Sequence, residues 1–141
     1  MPVATKRVYE AASRTDGARV LVDRLWPRGL TKEKAAVKLW LRDLAPSDAL
    51  RAWSHAHPAA WAQFRKRYFK ELTLPEAASA LAQLYDLVEK RKLVTLLFAY
   101  HDTERNNAVA LKELIDGAKK PPSGTGPAAA MRVRNRAIRK G

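Results

Sequence analysis

The sequence predicts an α/β fold, a mainly parallel sheet with helices in a single domain, and three observations carry that expectation. Leu93 to Tyr100 is an unbroken apolar run of the kind buried on both faces of a parallel sheet. Residues 3 to 9 and 19 to 25 are rich in Val, Leu and Tyr and read as two more strands. In the stretch between those strands and the apolar run, apolar residues recur at three- and four-residue intervals, the period of an amphipathic helix. The 141 residues suit one domain, which at this size buries roughly two-thirds of the surface its unfolded chain exposes. With 47% hydrophobic and 29% charged residues, the core should be an ordinary one.

The first two strands are separated by a polar loop that ends in the turn pair Asp16-Gly17. At about nine residues the loop is long for a tight hairpin and short for a standard parallel crossover, so their relative direction stays open. Beyond Gly29, Thr31 caps a short helix through Lys38, and Ala45-Pro46-Ser47 breaks the chain before Ser47 caps another toward Trp53. Pro58 opens a longer helix with Trp61, Phe64, Tyr68 and Leu72 on one face. Thr73-Leu74-Pro75-Glu76 has the form of a capping box. The helix behind it carries the stripe Ala77, Leu81, Leu84 and Val88 and ends in Lys90-Arg91-Lys92, cations that the macrodipole favours at that end. His101-Asp102 closes the apolar strand, Asn106 to Ile115 resumes helical spacing, and Gly117 is a natural stop. The domain is therefore expected over residues 1–117, with residues 118–141 a Pro/Gly linker and a flexible basic tail.

Several function classes are excluded by composition. The chain has no cysteine, which removes disulfides, thiolate nucleophiles and cysteine-based metal sites. No run approaches the roughly 18 apolar residues of a membrane helix, so no membrane partner is expected and the default address is cytoplasmic. The net charge of +13 is unevenly placed, because residues 117–141 hold seven cations and no acid. Taking these away leaves 20 basic and 14 acidic side chains, a net of +6 on the body. An inference from basicity to nucleic acid therefore concerns mainly the tail, where Arg132, Arg134, Arg136 and Arg139 lie.

The candidate site begins in Asp23-Arg24-Leu25-Trp26-Pro27-Arg28-Gly29, where fixed charges follow directly on an apolar strand. If the strands at 20–25 and 94–99 are parallel neighbours, these residues share a sheet edge with His101, Asp102 and Asn106, and open α/β sheets bind ligands at that edge. The helix after Asp102 would add free backbone amides suited to an anion. Arg24 and Arg28 are the candidate anion grips, Trp26 a candidate stacking surface and Asn106 a hydrogen-bonding group. Asp23 and Asp102 are candidates to orient a water or hydroxyl, and His101 to shuttle a proton. Each also reads structurally: Asp23 and Arg24 as loop ion pairs, Asp102 as an N-cap, Trp26 as packing, and Trp40 and Trp53 as core. His55-Ala56-His57 lacks the third ligand and the helical face of a metal motif, so neither metal nor cofactor is expected.

The Asp23–Gly29 motif is followed in order by Leu44-Ala45-Pro46-Ser47, by Arg67-Tyr68 before Glu71-Leu72, and by Val94-Thr95-Leu96-Leu97 leading to Asp102 and Asn106. In these motifs the chain closely resembles the YeaO-like bacterial branch of domain-of-unknown-function family 488, over about residues 5 to 116. That resemblance implies a compact cytoplasmic α/β domain, a small central, mainly parallel sheet flanked by helices, with no established activity. More distant relatives carry cysteine and histidine around the final strand-to-helix turn, whereas this chain has Phe98, Asn106 and Asn107 there, so thiol chemistry does not carry over. His101 stands where the resemblance leads one to expect lysine.

Two readings follow, and whether the chain is an enzyme stays open. In one, the sheet edge binds, or acts on, a small anionic, phosphate- or nucleotide-like ligand. In the other, the tail arginines give sequence-independent contacts to nucleic acid or a regulatory role. Exposed Trp and Tyr residues forming a protein interface are a third possibility, and the oligomeric state is not legible.

Overall fold

A computed structural model describes residues 3–117; the linker and basic tail lie outside the described residues. Four strands, β1 (Val3–Arg7), β2 (Ala18–Leu21), β3 (Leu39–Trp40) and β4 (Val94–Phe98), form one sheet in the order β1-β4-β2-β3. Every pairing is parallel. β1 and β2, whose relative direction the sequence left open, run the same way without touching, because β4 is inserted between them. Val3 and Ala18 both register with Val94. A short return suffices because the strands are short: five residues rise about 16 Å, which roughly ten residues of loop span with slack.

All five residues of β4 are buried, as its unbroken apolar run requires of a central parallel strand. The two-residue period of the strands divides the core. Val20, Val22, Val94, Leu96 and Phe98 join a large cluster with the helices α2 (Asp48–Ala56), α3 (Trp61–Glu71), α4 (Pro75–Lys90) and α5 (Asn107–Gly117). Leu21 and Leu97 point into a smaller cluster with Val8 and with Ala35 of the short helix α1 (Lys32–Ala35), packed against Trp26 and Trp40.

Local expectations are corrected at three places. The helix capped by Thr31 stops at Ala35 rather than Lys38: Ala36 turns left-handed at φ 50°, and Leu39–Trp40 becomes the edge strand β3. The strand wins because Lys38 and Leu41 donate their amides to the carbonyls of Arg19 and Leu21, extending the ladder of β2. The long helix begins at Trp61 rather than Pro58. The capping box at Thr73 does not form; Thr73 Oγ1 donates back to the Lys70 carbonyl at 2.6 Å, and Leu74 caps α4 with Pro75 in its first turn.

Two of the motifs that carry the resemblance tie α3 to the segment that leads into α2. The buried Tyr68 hydroxyl donates to the Leu44 carbonyl. Glu71 accepts from the Ser47 amide at 2.9 Å and from the Ser47 hydroxyl at 2.6 Å, while Ser47 Oγ accepts the Leu50 amide as the N-cap of α2.

At the amino ends of the strands, Asp16 organises a buried ionic cluster. Its carboxylate accepts from Arg19 at 2.6 Å, the Ser13 amide at 2.9 Å and Lys6 at 3.1 Å, and its carbonyl accepts from Thr95. Arg19, only 4% exposed, completes its shell with the Ala35 carbonyl. Burial pushes the Asp16 carboxyl up, but the Ser13 amide and the Lys6 and Arg19 cations outweigh it and hold the group below the usual carboxylate value.

Gly17, at φ +65°, passes so close to the next strand that an added Cβ would stand 2.2 Å from the Leu93 carbonyl oxygen. Gly17→Ala is expected to cost about 2 kcal/mol or more in urea unfolding. The depressed carboxyl of Asp16 predicts a pH dependence. Its contribution is complete above the unfolded value of about 3.9 and is lost as pH falls through the lower folded value. Asp16→Asn should therefore lower stability at neutral pH and flatten the loss between about pH 5 and pH 1, measured by urea unfolding across that range.

Candidate functional site

A cleft of about 410 Å³ opens at the carboxyl ends of β1, β2 and β4. Asp23 and Arg24 reach it from the end of β2, Ala99, Tyr100 and His101 from the end of β4, and Arg7 from the end of β1. Arg51 and His55 of α2, Trp61 of α3, and Arg105, Asn106 and Asn107 at the start of α5 close its sides. The juxtaposition follows from β2 and β4 being parallel neighbours, which is the condition the sequence attached to it.

Asp23 braces this edge. Its Oδ2 accepts the Ala99 amide at 2.8 Å and its Oδ1 accepts from Asn107 Nδ2 at 3.2 Å, while Asn107 also donates to the Val22 carbonyl. Burial pushes its carboxyl up, against the opposing pull of the Ala99 amide, the Asn107 amide group and the Arg51 charge. Both oxygens are thus committed to joining β2, β4 and α5.

The rest of the Asp23–Gly29 motif divides. Arg24 lines the cleft, its Nε 3.6 Å from the exposed carboxylate of Asp48. Trp26 lies outside the cleft, packed edge-on to Trp40 at 5.6 Å, with its indole N–H given to the Leu30 carbonyl at 2.8 Å. Arg28 is exposed and also outside the cleft; its backbone carbonyl accepts from the Tyr9 hydroxyl.

Around the last turn, side chains take up one amide of the first turn of α5 and two amides just before the helix. Asn106 Oδ1 accepts the Val109 amide at 2.9 Å as a side-chain cap, and its Nδ2 donates to the Asp102 carbonyl. Asp102 Oδ1 accepts the amides of Glu104 and Arg105, which hold its carboxyl below the usual value. Asn106, 5% exposed, therefore touches the cleft with its amide already bonded. Asp102 faces a side pocket of about 50 Å³ that shares Trp61, Tyr100 and Arg105 with the cleft. His101 lines the cleft with its ring 4.4 Å from that of Tyr100, and the Asp102 carboxylate bonds to the turn instead of to it.

Sequence reasoning missed three cations. Arg7, which donates to the Ala99 carbonyl at 2.7 Å, was hidden by the undecided direction of β1. Arg51 follows Asp48 by three positions on a capped helix, and its Nη2 lies 3.9 Å from that carboxylate. Arg105 reaches toward the Pro58 carbonyl at 3.5 Å. His55 stacks on Tyr100 while His57 stacks on Trp53, and among the described residues no group of three or more His, Asp or Glu could hold a metal ion. The tail arginines Arg132, Arg134, Arg136 and Arg139 lie outside the described residues.

The family model described as the inactive DUF488-N3 subclade matches residues 2–129. Uncharacterized proteins of Mycobacterium tuberculosis and Mycobacterium bovis are each 41% identical over 115 residues, 82% of this chain and 94% of theirs. The uncharacterized protein YeaO of Escherichia coli is 39% identical over 115 residues, 82% of this chain and 97% of its own length. No solved structure gives a significant match.

Two substitutions within the Asp23–Gly29 motif should separate its roles. Asp23→Ala leaves the Ala99 amide and the Asn107 side chain short of an acceptor and is expected to cost about 2 kcal/mol. Arg28→Ala, on an exposed side chain, should stay within about 0.5 kcal/mol of the parent. Urea unfolding of both variants checks the contrast.

Proposed function

The chain belongs to the inactive DUF488-N3 subclade, and from that premise we propose that it binds a small phosphate-bearing anion, nucleotide-like ligands included, without transforming it. The observation that carries this reading is the charge of the cleft: Arg7, Arg24, Arg51 and Arg105 line it, with Asp23 the one carboxylate among its described lining residues. A concave site lined by one sign of charge focuses the field on an incoming counter-ion. Guanidinium forks match phosphate oxygens in pairs.

The ion pairs that Arg24 and Arg51 make are weak enough to exchange. Both lead to Asp48, whose side chain is 74% exposed, at 3.6 and 3.9 Å. Exposed pairs of that length are screened by water and salt. Three features support binding without catalysis: both Asp23 oxygens are engaged, His101 lacks the Asp102 carboxylate as a hydrogen-bonding partner, and the chain has no thiol. A cytoplasmic address belongs to the same proposal. Nucleic-acid binding through the tail is a separate reading carried by charge alone, and Arg132 to Arg139 fall beyond the end of the family match.

Titration calorimetry with pyrophosphate at fixed ionic strength tests the reading. The parent should bind, and the double variant Arg24→Ala/Arg51→Ala should bind at least about tenfold more weakly, the loss of one or more charge-assisted contacts. Asp48→Asn, which removes the competing carboxylate, should bind a few-fold tighter. Equal affinity in the parent and the double variant defeats the proposal.

A further inference from the structure

The cleft also carries aromatic surface that anion binding does not use. Tyr100, at the exit of β4, is 39% exposed. The exposed ring of His55, in the last turn of α2, stacks on it with centroids 5.3 Å apart and planes 11° from parallel. The exposed ring of His101 lies 4.4 Å from Tyr100, tilted by 40°. Trp61 continues the wall and is itself supported by Phe64, stacked at 5.6 Å and 14°. Rings from α2, α3 and the exit of β4 thus assemble in the same 410 Å³ space as the four guanidiniums.

We propose that the ligand is a nucleotide, its base stacked against the rings of His55, Tyr100 and His101 while the arginines take its phosphate; this rests on the reading of the cleft as an anion site. A planar ring joined through a sugar to a phosphate is the chemistry that satisfies both surfaces at once. Inorganic phosphate, or a sugar phosphate, would leave the rings in water. The carboxamides of Asn106 and Asn107 are committed to Asp102, Val109, Val22 and Asp23 and do not read the edge of the base. Recognition by stacking then ranks bases by ring area, purines above pyrimidines, because every base offers a π-face.

Calorimetry on the full chain with adenosine monophosphate, ribose phosphate and adenosine, at one ionic strength, tests this. Adenosine monophosphate should bind at least about tenfold tighter than ribose phosphate. Tyr100→Ala should bring the ratio of the two affinities, measured on the same variant, close to one; Arg7 bonds to the Tyr100 backbone carbonyl, which the variant keeps. His55→Ala, on the exposed face of α2, gives a second variant with the same expected direction. Equal affinity for the two phosphates, or an undiminished advantage in both variants, overturns the inference while leaving the anion site standing. Failure of every phosphate to bind overturns the anion site and the inference with it.

Discussion

Asp23 adds, to the backbone ladders and apolar packing, a set of hydrogen bonds that ties three pieces of chain together at one point. One oxygen takes the first amide beyond β4, the other takes the side chain that opens α5, and the Asp23 carbonyl receives the Trp40 indole N–H at 2.7 Å. Sheet edge, final helix and outer strand therefore all have a hydrogen bond to this one residue. A carboxylate in this half-buried place disfavours its own charge, and the donors that surround it make the ionised form tolerable. The cleft takes its shape from that compromise, because Arg24, Tyr100 and Asn106 all leave the chain within a few positions of a group that Asp23 fixes.

The motifs that identify the family are mostly instructions for assembly. Tyr68 and Glu71 clamp the turn that starts α2, and α2 in turn carries Arg51 and His55 into the cleft. Trp26 and Trp40 cover the smaller core, where no long helix is available. Such residues act on a ligand at one remove, by fixing the helices and turns from which the lining side chains project. This explains how a motif dense in charge and aromatic surface can send only two of its members, Asp23 and Arg24, to the cleft itself.

Most of the fold was legible because it depends on periodicity. The unbroken apolar run of β4 announced a strand buried on both faces, and the spacings of Phe64, Tyr68 and Leu72 and of Leu81, Leu84 and Val88 announced faces that are indeed buried. The two-residue strand β3 had no period to detect; it exists because β2 offers carbonyls to its neighbours. Thr73 shows the complementary failure, a good capping sequence overridden when its hydroxyl found a nearer carbonyl in the helix before it. The site was half legible for a topological reason. Adjacent parallel strands could be guessed from two segments, and that guess placed Asp23, Arg24, His101 and Asn106 together. Arg7 and Arg51 needed the direction of β1 and the docking of α2, which no local pattern encodes, whereas Arg105 stands in the turn between Asp102 and Asn106 that the same guess had already brought to the edge.

The order of the strands in the sheet differs from their order in the chain, and this bears on how the molecule comes into being. β1 and β2 leave a strand-wide gap between them that β4 fills, and β4 is the last of the four described strands to be synthesised. Until residue 98 has left the ribosome, the first forty residues hold three strands, of which β1 and β2 lack their central partner. Loop closure over most of the domain must then precede both ladders of β4, which makes completion of the sheet a late and slow step. For a nascent chain this leaves an interval of unpaired strand edges in which a chaperone, or a stray strand from another molecule, competes with β4 for the vacant position.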